Sequence, residues 1–245
     1  MNARISPSII MRLRDFGESD LMVGFFTTDK GRLTGLAKGA RRSRKRFANC
    51  LDLFCLVSLE YEKKRGDLCF LHSCKLVEPF SGVRSDFSSL SLASYFVELT
   101  ELLFPPGISG EGMFNLLKQA LSGLDQGMGK EGLRVLFETK ALSLGGYAID
   151  LEKCGRCGRP YTGRGRAVFR PAQGGIACLR CEKESSVSPG LGPDSVKALR
   201  KIQSAPCNER WNIEVTGPMV YEIRAVLDLH MEYRLGRRLK TTGYL

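Results

Sequence analysis

The chain has 245 residues, 43% hydrophobic and 26% charged, with 37 Lys+Arg against 26 Asp+Glu for a net charge of +11, and nine cysteines. That length can bury a large core without disulfides or a metal for bulk stability, and the charge calls for a polyanionic partner. Glycine shows no period, no apolar run approaches about 18 residues, and residues 1–7 lack a signal-peptide pattern, so collagen-like, membrane-spanning and secreted classes are set aside in favour of a cytoplasmic chain with reduced thiols.

The charge is unevenly spread. Residues 1–80 carry 15 basic and 9 acidic groups, 81–150 carry 5 and 8, 151–190 carry 8 and 3, and 191–245 carry 9 and 6. Two basic blocks therefore flank an acidic segment. In the first block, Ser8–Arg14, Leu21–Thr27, Arg32–Ala37, Leu53–Lys63 and Leu68–Val77 alternate with a period near two, as strands do. Asp29-Lys30-Gly31 and Lys64-Arg65-Gly66-Asp67 supply turns between them. Five short strands with a longer basic connection after the third predict a five-stranded OB barrel over residues 1–80.

From Ser85 the period becomes helical. Helices are expected over Asp86–Phe104, around Met113–Leu124, from Leu133 to a stop at Gly145-Gly146, over Pro193–Gln203, and from Pro218 to Leu239. The class is thus α+β, with a helical domain over 81–245 that carries a metal-binding insert at about 151–184.

Within that insert, Cys154-Gly155-Arg156-Cys157 and Cys178-Leu179-Arg180-Cys181 flank twenty residues. Two C-x-x-C knuckles joined by a hairpin are the pattern of a tetrahedral four-cysteine site, so one structural Zn2+ per chain is predicted on Cys154, Cys157, Cys178 and Cys181. The competing readings are a disulfide pair, a redox or sensing motif, and a catalytic zinc, which would keep an open position. Eight basic groups of the insert, Lys153 to Lys183, are expected to leave its outer face positive. The remaining cysteines, Cys50, Cys55, Cys69, Cys74 and Cys207, read as small buried hydrophobes.

The densest positive run is Lys38-Gly39-Ala40-Arg41-Arg42-Ser43-Arg44-Lys45-Arg46-Phe47, and no acid lies between Asp29 and Asp52. Like charges at this density stay in solvent or meet phosphates. On an OB barrel they point to single-strand binding, with Lys38, Arg41, Arg42, Arg44, Lys45 and Arg46 as main contacts and Arg12, Arg14 and Arg32 next. Six such contacts would give a salt slope of about −4. Arg234, Arg237, Arg238 and Lys240 form a second basic patch. Phe16, Phe47 and Tyr61 read as core residues before base-stacking ones. His72 and His230 read as hydrogen-bonded interior residues. No phosphate-loop, nucleophile-elbow or H-E-x-x-H motif occurs, and the acids Asp15, Glu18 and Asp20 show no pairing for general-base work, so turnover chemistry is not expected.

Leu13-Arg14-Asp15-Phe16-Gly17-Glu18-Ser19-Asp20-Leu21, Ala37-Lys38-Gly39-Ala40-Arg41-Arg42, Leu144-Gly145-Gly146-Tyr147 and Tyr233-Arg234-Leu235-Gly236-Arg237-Arg238-Leu239-Lys240 together resemble the RecO family of bacterial recombination mediators, over almost the whole chain. The resemblance implies an OB domain, a zinc-bearing helical domain and no catalysis. It further implies binding of single- and double-stranded DNA, strand annealing, cooperation with RecR in loading RecA on DNA coated by single-strand-binding protein, and a nucleoid-associated cytoplasmic location. Docking of the acidic tail of single-strand-binding protein on the helical domain is also implied. Arg134 and Lys140 are candidates to receive its carboxylates, against the plainer reading of an exposed solvated pair. Two alternatives remain open, a zinc-containing RNA- or ribosome-associated protein and a nucleic-acid-modifying enzyme.

Overall fold

The computed structural model describes residues 3–63, 68–207 and 214–245. The expected turn at 64–67 lies outside them. Alternation of apolar and polar residues builds five strands, β1 (Arg4–Phe16), β2 (Asp20–Thr27), β3 (Gly31–Ala37), β4 (Leu56–Lys63) and β5 (Leu68–Glu78). They close into a barrel in the order β1-β2-β3-β5-β4. All pairs are antiparallel except β3–β5, a short parallel joint of Thr34, Gly35 and Leu36 with Leu68, Cys69 and Phe70. This is the OB barrel expected from the sequence. β1 starts earlier and ends later than the pattern suggested, because it pairs with β4 through its first half and with β2 through its second, with a register shift between Ile10 and Arg12.

The barrel interior holds Ile10, Val23, Phe25, Val57, Leu59, Tyr61, Cys69 and Leu71. Its outer face is covered in part: Phe26 meets Phe104 edge to face, with ring centroids 6.2 Å apart. Two helices follow, α1 (Phe87–Leu103) and α2 (Glu111–Asp125). Asp86 caps α1 by accepting from the Ser89 amide at 2.9 Å, and Pro105-Pro106 follows its end. The chain divides into two compact units, Met1–Met128 with Tyr244–Leu245, and Gly129–Gly243.

The second unit contains α3 (Lys130–Leu144), a sheet ordered β7-β6-β8 from β6 (Ala167–Arg170), β7 (Gly175–Cys178) and β8 (Gly190–Leu191), then α4 (Pro193–Ser204) and α5 (Gly217–Leu235). The three helices pack on one another, and β8 packs on α5. α5 stops short of the expected Leu239 because Gly236 turns left-handed at φ 64° and its amide donates to the Glu232 carbonyl at 3.1 Å. Among the described residues, no helix is long and apolar enough to cross a membrane.

Candidate nucleic-acid interface and metal centre

The basic run between β3 and β4 is a pinned turn. Gly39 takes φ 66° and gives its amide to the Asp20 carboxylate at 2.8 Å, while the Arg41 amide donates to the Ser19 carbonyl at 3.0 Å. The Ser43 hydroxyl accepts from the Arg46 and Phe47 amides at 3.1 and 3.2 Å, and the Arg46 carbonyl accepts from the Cys74 amide of β5 at 2.8 Å. Ala40, Phe47 and Cys50 belong to the barrel core. Burying these apolar residues leaves Lys38, Arg41, Arg42, Arg44, Lys45 and Arg46 exposed.

Their surroundings differ. Arg41 lies 3.3 Å from Asp15, Arg46 donates to the Lys38 carbonyl at 2.8 Å, and Lys38 lies over the Phe70 ring. Among the described residues, Arg42, Arg44 and Lys45 have no ion-pair partner. Asp15 and Asp20, which flank the β1–β2 turn, thus have a positioning role that sequence reasoning missed. Of the aromatics, Phe47 and Tyr61 are core, as expected, whereas Phe16 is 51% exposed at the end of β1. It lies next to Asp15, the partner of Arg41, and is a correction to the core reading. His72 is also corrected: its side chain is 44% exposed and 3.6 Å from Glu62, because Cys69 and Leu71 occupy the inward positions of β5.

Arg12, Arg14 and Arg32 line one cavity on the outer face of β1, β2 and β3. Arg12 and Arg32 are engaged by α1. The Arg12 guanidinium donates to both Glu101 carboxylate oxygens, at 2.8 Å for the shortest contact, and Arg32 donates to the Glu101 carbonyl at 3.2 Å. The hydrogen bond to Glu101 raises the Arg12 pKa against the opposing effect of burial.

In the second unit, the Sγ atoms of Cys154, Cys157, Cys178 and Cys181 all lie within 4.8 Å of one another. Tetrahedral metal–sulfur bonds of about 2.3 Å place sulfurs about 3.8 Å apart, and Cys157 and Cys178 are separated by 3.9 Å. The backbone fixes both knuckles. Gly158, at φ 71°, donates to the Cys154 carbonyl at 2.9 Å, the Cys181 amide donates to the Cys178 carbonyl at 2.9 Å, and Gly155 donates to Ile176 of β7 at 2.8 Å. These four residues can hold one metal ion.

Around them, Arg166 bridges Glu184 at 2.6 Å and Glu222 at 2.7 Å, and Arg170 lies 3.3 Å from Glu182. Glu222 also accepts from Ser195 at 2.5 Å and from the Gly192 amide at 2.8 Å, tying the module to the start of α4. Lys153, Arg159, Arg164, Arg180 and Lys183 are exposed. In the second basic patch, Arg234 packs against Gly174, Arg238 lies 3.6 Å from Glu232, and Arg237 and Lys240 are exposed.

Arg134 and Lys140 do not form an exposed pair. Arg134 is 4% exposed and donates to the fully buried Glu138 at 2.7 Å, with Asp228 at 3.8 Å. Lys140 is 6% exposed and donates to the Gln203 carbonyl at 2.7 Å. The reason is that α3 is buried on every side from Leu133 to Leu142. Neither cation is open to a partner's carboxylate while these contacts persist.

Comparison with known proteins bears on both features. The family profile described as Recombination protein O N terminal matches residues 1–80, and that described as Recombination protein O C terminal matches residues 84–243. The chain belongs to the RecO family. Relatives named DNA repair protein RecO include that of Syntrophus aciditrophicus (strain SB), 33% identical over all of this chain and 97% of the relative. The protein of Syntrophobacter fumaroxidans (strain DSM 10017 / MPOB) is 35% identical over 87% of this chain and 85% of its own length. That of Anaeromyxobacter sp. (strain K) is 32% identical over 97% and 93%. RecO membership makes this a DNA repair and recombination protein.

Proposed function

We propose that the chain acts by binding, as a recombination mediator that holds single- and double-stranded DNA, anneals complementary strands, and with RecR assists RecA loading on DNA coated by single-strand-binding protein. The observation that carries this reading is the pinned turn, where the fold uses its apolar residues to fix six exposed cations at the end of β3. Cations held on a backbone support meet phosphates at little ordering cost, and few exposed aromatics accompany them. Such a surface lowers repulsion between two strands while leaving base edges free to pair.

The DNA-gripping domain in this reading is residues 1–80, with 81–245 as the helical domain and its metal insert at about 151–184. Lys38, Arg41, Arg42, Arg44, Lys45 and Arg46 are the main phosphate contacts. Arg14 and the exposed members of the second patch, Arg237, Arg238 and Lys240, are secondary ones. The cysteine tetrad holds structural Zn2+, the ion best matched to four thiolates in a closed site. The acidic tail of single-strand-binding protein docks on the helical domain at a surface other than the internally held Arg134 and Lys140. The test is annealing of complementary oligonucleotides coated with single-strand-binding protein: the wild type accelerates it, and Arg41→Ala/Arg42→Ala/Arg44→Ala slows it. Annealing at the spontaneous rate with excess wild-type protein overturns the proposal.

A further inference from the structure

The cavity on the outer face of β1, β2 and β3 has a volume of about 230 Å³ and is lined by Arg12, Arg14, Arg32, Met22, Gly24 and Glu101, among others. Its arrangement is built at several levels. Arg12 lies across Gly24, its register partner on β2, where an added Cβ would meet the Arg12 Cβ at 3.1 Å and Cγ at 3.4 Å. The glycine thus keeps open the path along which the guanidinium reaches Glu101. Arg14 lines the same cavity with no ion-pair partner among the described residues. Glu101 lies in the last turn of α1, where the helix carries no basic residue. A carboxylate there opposes the helix dipole, so local helix energetics do not account for it. What it does have is a two-oxygen contact with Arg12, at 2.8 to 3.3 Å, while its own carbonyl accepts from Arg32.

A carboxylate engaged through two oxygens by a guanidinium occupies the position that phosphate oxygens take in arginine–phosphate pairs. We propose that Glu101 is a resident anion in a phosphate pocket, and that a nucleic-acid phosphate binds there by taking its place on Arg12. This rests on the DNA-binding reading above and adds to it a built-in competitor. Binding at the pinned turn is simple neutralisation of phosphate charge. Binding at the pocket is an exchange, in which each phosphate gained sets free one carboxylate that must find a cation in solution. The pocket therefore engages after the turn has raised the local phosphate concentration, and it contributes little to the salt dependence of the wild type.

Glu101→Gln removes the competing charge at nearly constant volume. Titration of a fluorescent single-stranded oligonucleotide at several salt concentrations is expected to show affinity raised several-fold at low salt. The plot of log K against log salt should steepen by about 0.7, the increment for one single-strand phosphate. Glu111→Gln, at the exposed start of α2, removes the same charge away from the cavity and is expected to stay near the wild-type slope. Adding Arg12→Ala to Glu101→Gln should return the slope to the wild-type value. Wild-type binding with Glu101→Gln indistinguishable from Glu111→Gln overturns the exchange while leaving the DNA-binding reading in place. Absence of binding by the wild type and every variant at low salt overturns both.

Discussion

In the pinned turn, Arg42, Arg44 and Lys45 meet no acid among the described residues. In the second unit, Arg134, Arg166, Arg170, Arg200 and Arg224 each lie within 3.3 Å of a carboxylate, on Glu138, Glu184, Glu182, Glu152 and Glu131. The same side chain serves opposite ends. Arg42 and Arg44 of the turn are charges left exposed, whereas around the metal module and its helices, as at Arg12 on the barrel, arginine is a planar multiple donor that joins elements. Charge counted along a chain is therefore a poor measure of charge on offer, and the useful quantity is the cation content left after internal pairing.

The sharpest way to separate the two regions is to dismantle one of them. Chelation, or Cys154→Ser, is expected to abolish stoichiometric metal and unfold the module around 151–191. Apparent binding energies for structural zinc reach about 10–16 kcal/mol in small zinc modules, comparable to the whole stability of a domain. Limited proteolysis should then cut the module while the barrel stays intact and DNA affinity changes by less than about threefold; a matching collapse of DNA binding would show that the two regions do not act separately.

Next in size is Arg134→Ala, which removes the guanidinium 2.7 Å from the fully buried Glu138 carboxylate and is expected to cost about 3–5 kcal/mol in urea unfolding. By contrast, Arg41→Ala/Arg42→Ala/Arg44→Ala should change stability by no more than about 0.5 kcal/mol per position while flattening the single-strand salt slope by about 2. Equal stability losses in the two variants would erase the contrast between joining and offered arginines.

The smallest effect is on pH. Burial, aided by Arg234, holds His230 below the ordinary imidazole range, although its contact with the Tyr147 carbonyl at 2.8 Å acts the other way. The fold therefore keeps this ring neutral while the unfolded chain protonates near pH 6.5. Its contribution to stability is full above about pH 6.5 and is lost as pH falls below it, by at most about 1.4 kcal/mol per unit. Urea unfolding of wild type and His230→Gln between pH 7 and 5 checks this: the wild type should lose more stability on acidification.

Most of the architecture could be read from periodicity. Alternation of Val57, Leu59 and Tyr61 marked an inward face of β4, and the spacing of the four knuckle cysteines marked the metal centre, because both patterns follow directly from local geometry. Reading failed where a residue's setting depends on distant elements. Arg134 and Lys140 look like a solvated helix face until α4 and α5 are packed on α3. Nothing in the spacing of Asp20 and Ser43 marks them as shaping the basic turn, yet they do so through hydrogen bonds. Glu101, 89 residues from Arg12, gives no sequence sign of their contact.

The parallel joint between β3 and β5 has a consequence for how the protein forms. Pairing Thr34 with Leu68 closes a long loop, and chain entropy delays that closure relative to the neighbouring hairpins. The basic turn lies inside this loop, and its Arg46 carbonyl is tied to Cys74 on the strand that completes the ring. A chain caught before closure carries every one of the positive charges but has no fixed geometry in which to use them. On the proposed function, phosphate recognition would thus be acquired late in folding, when the circle of strands is joined.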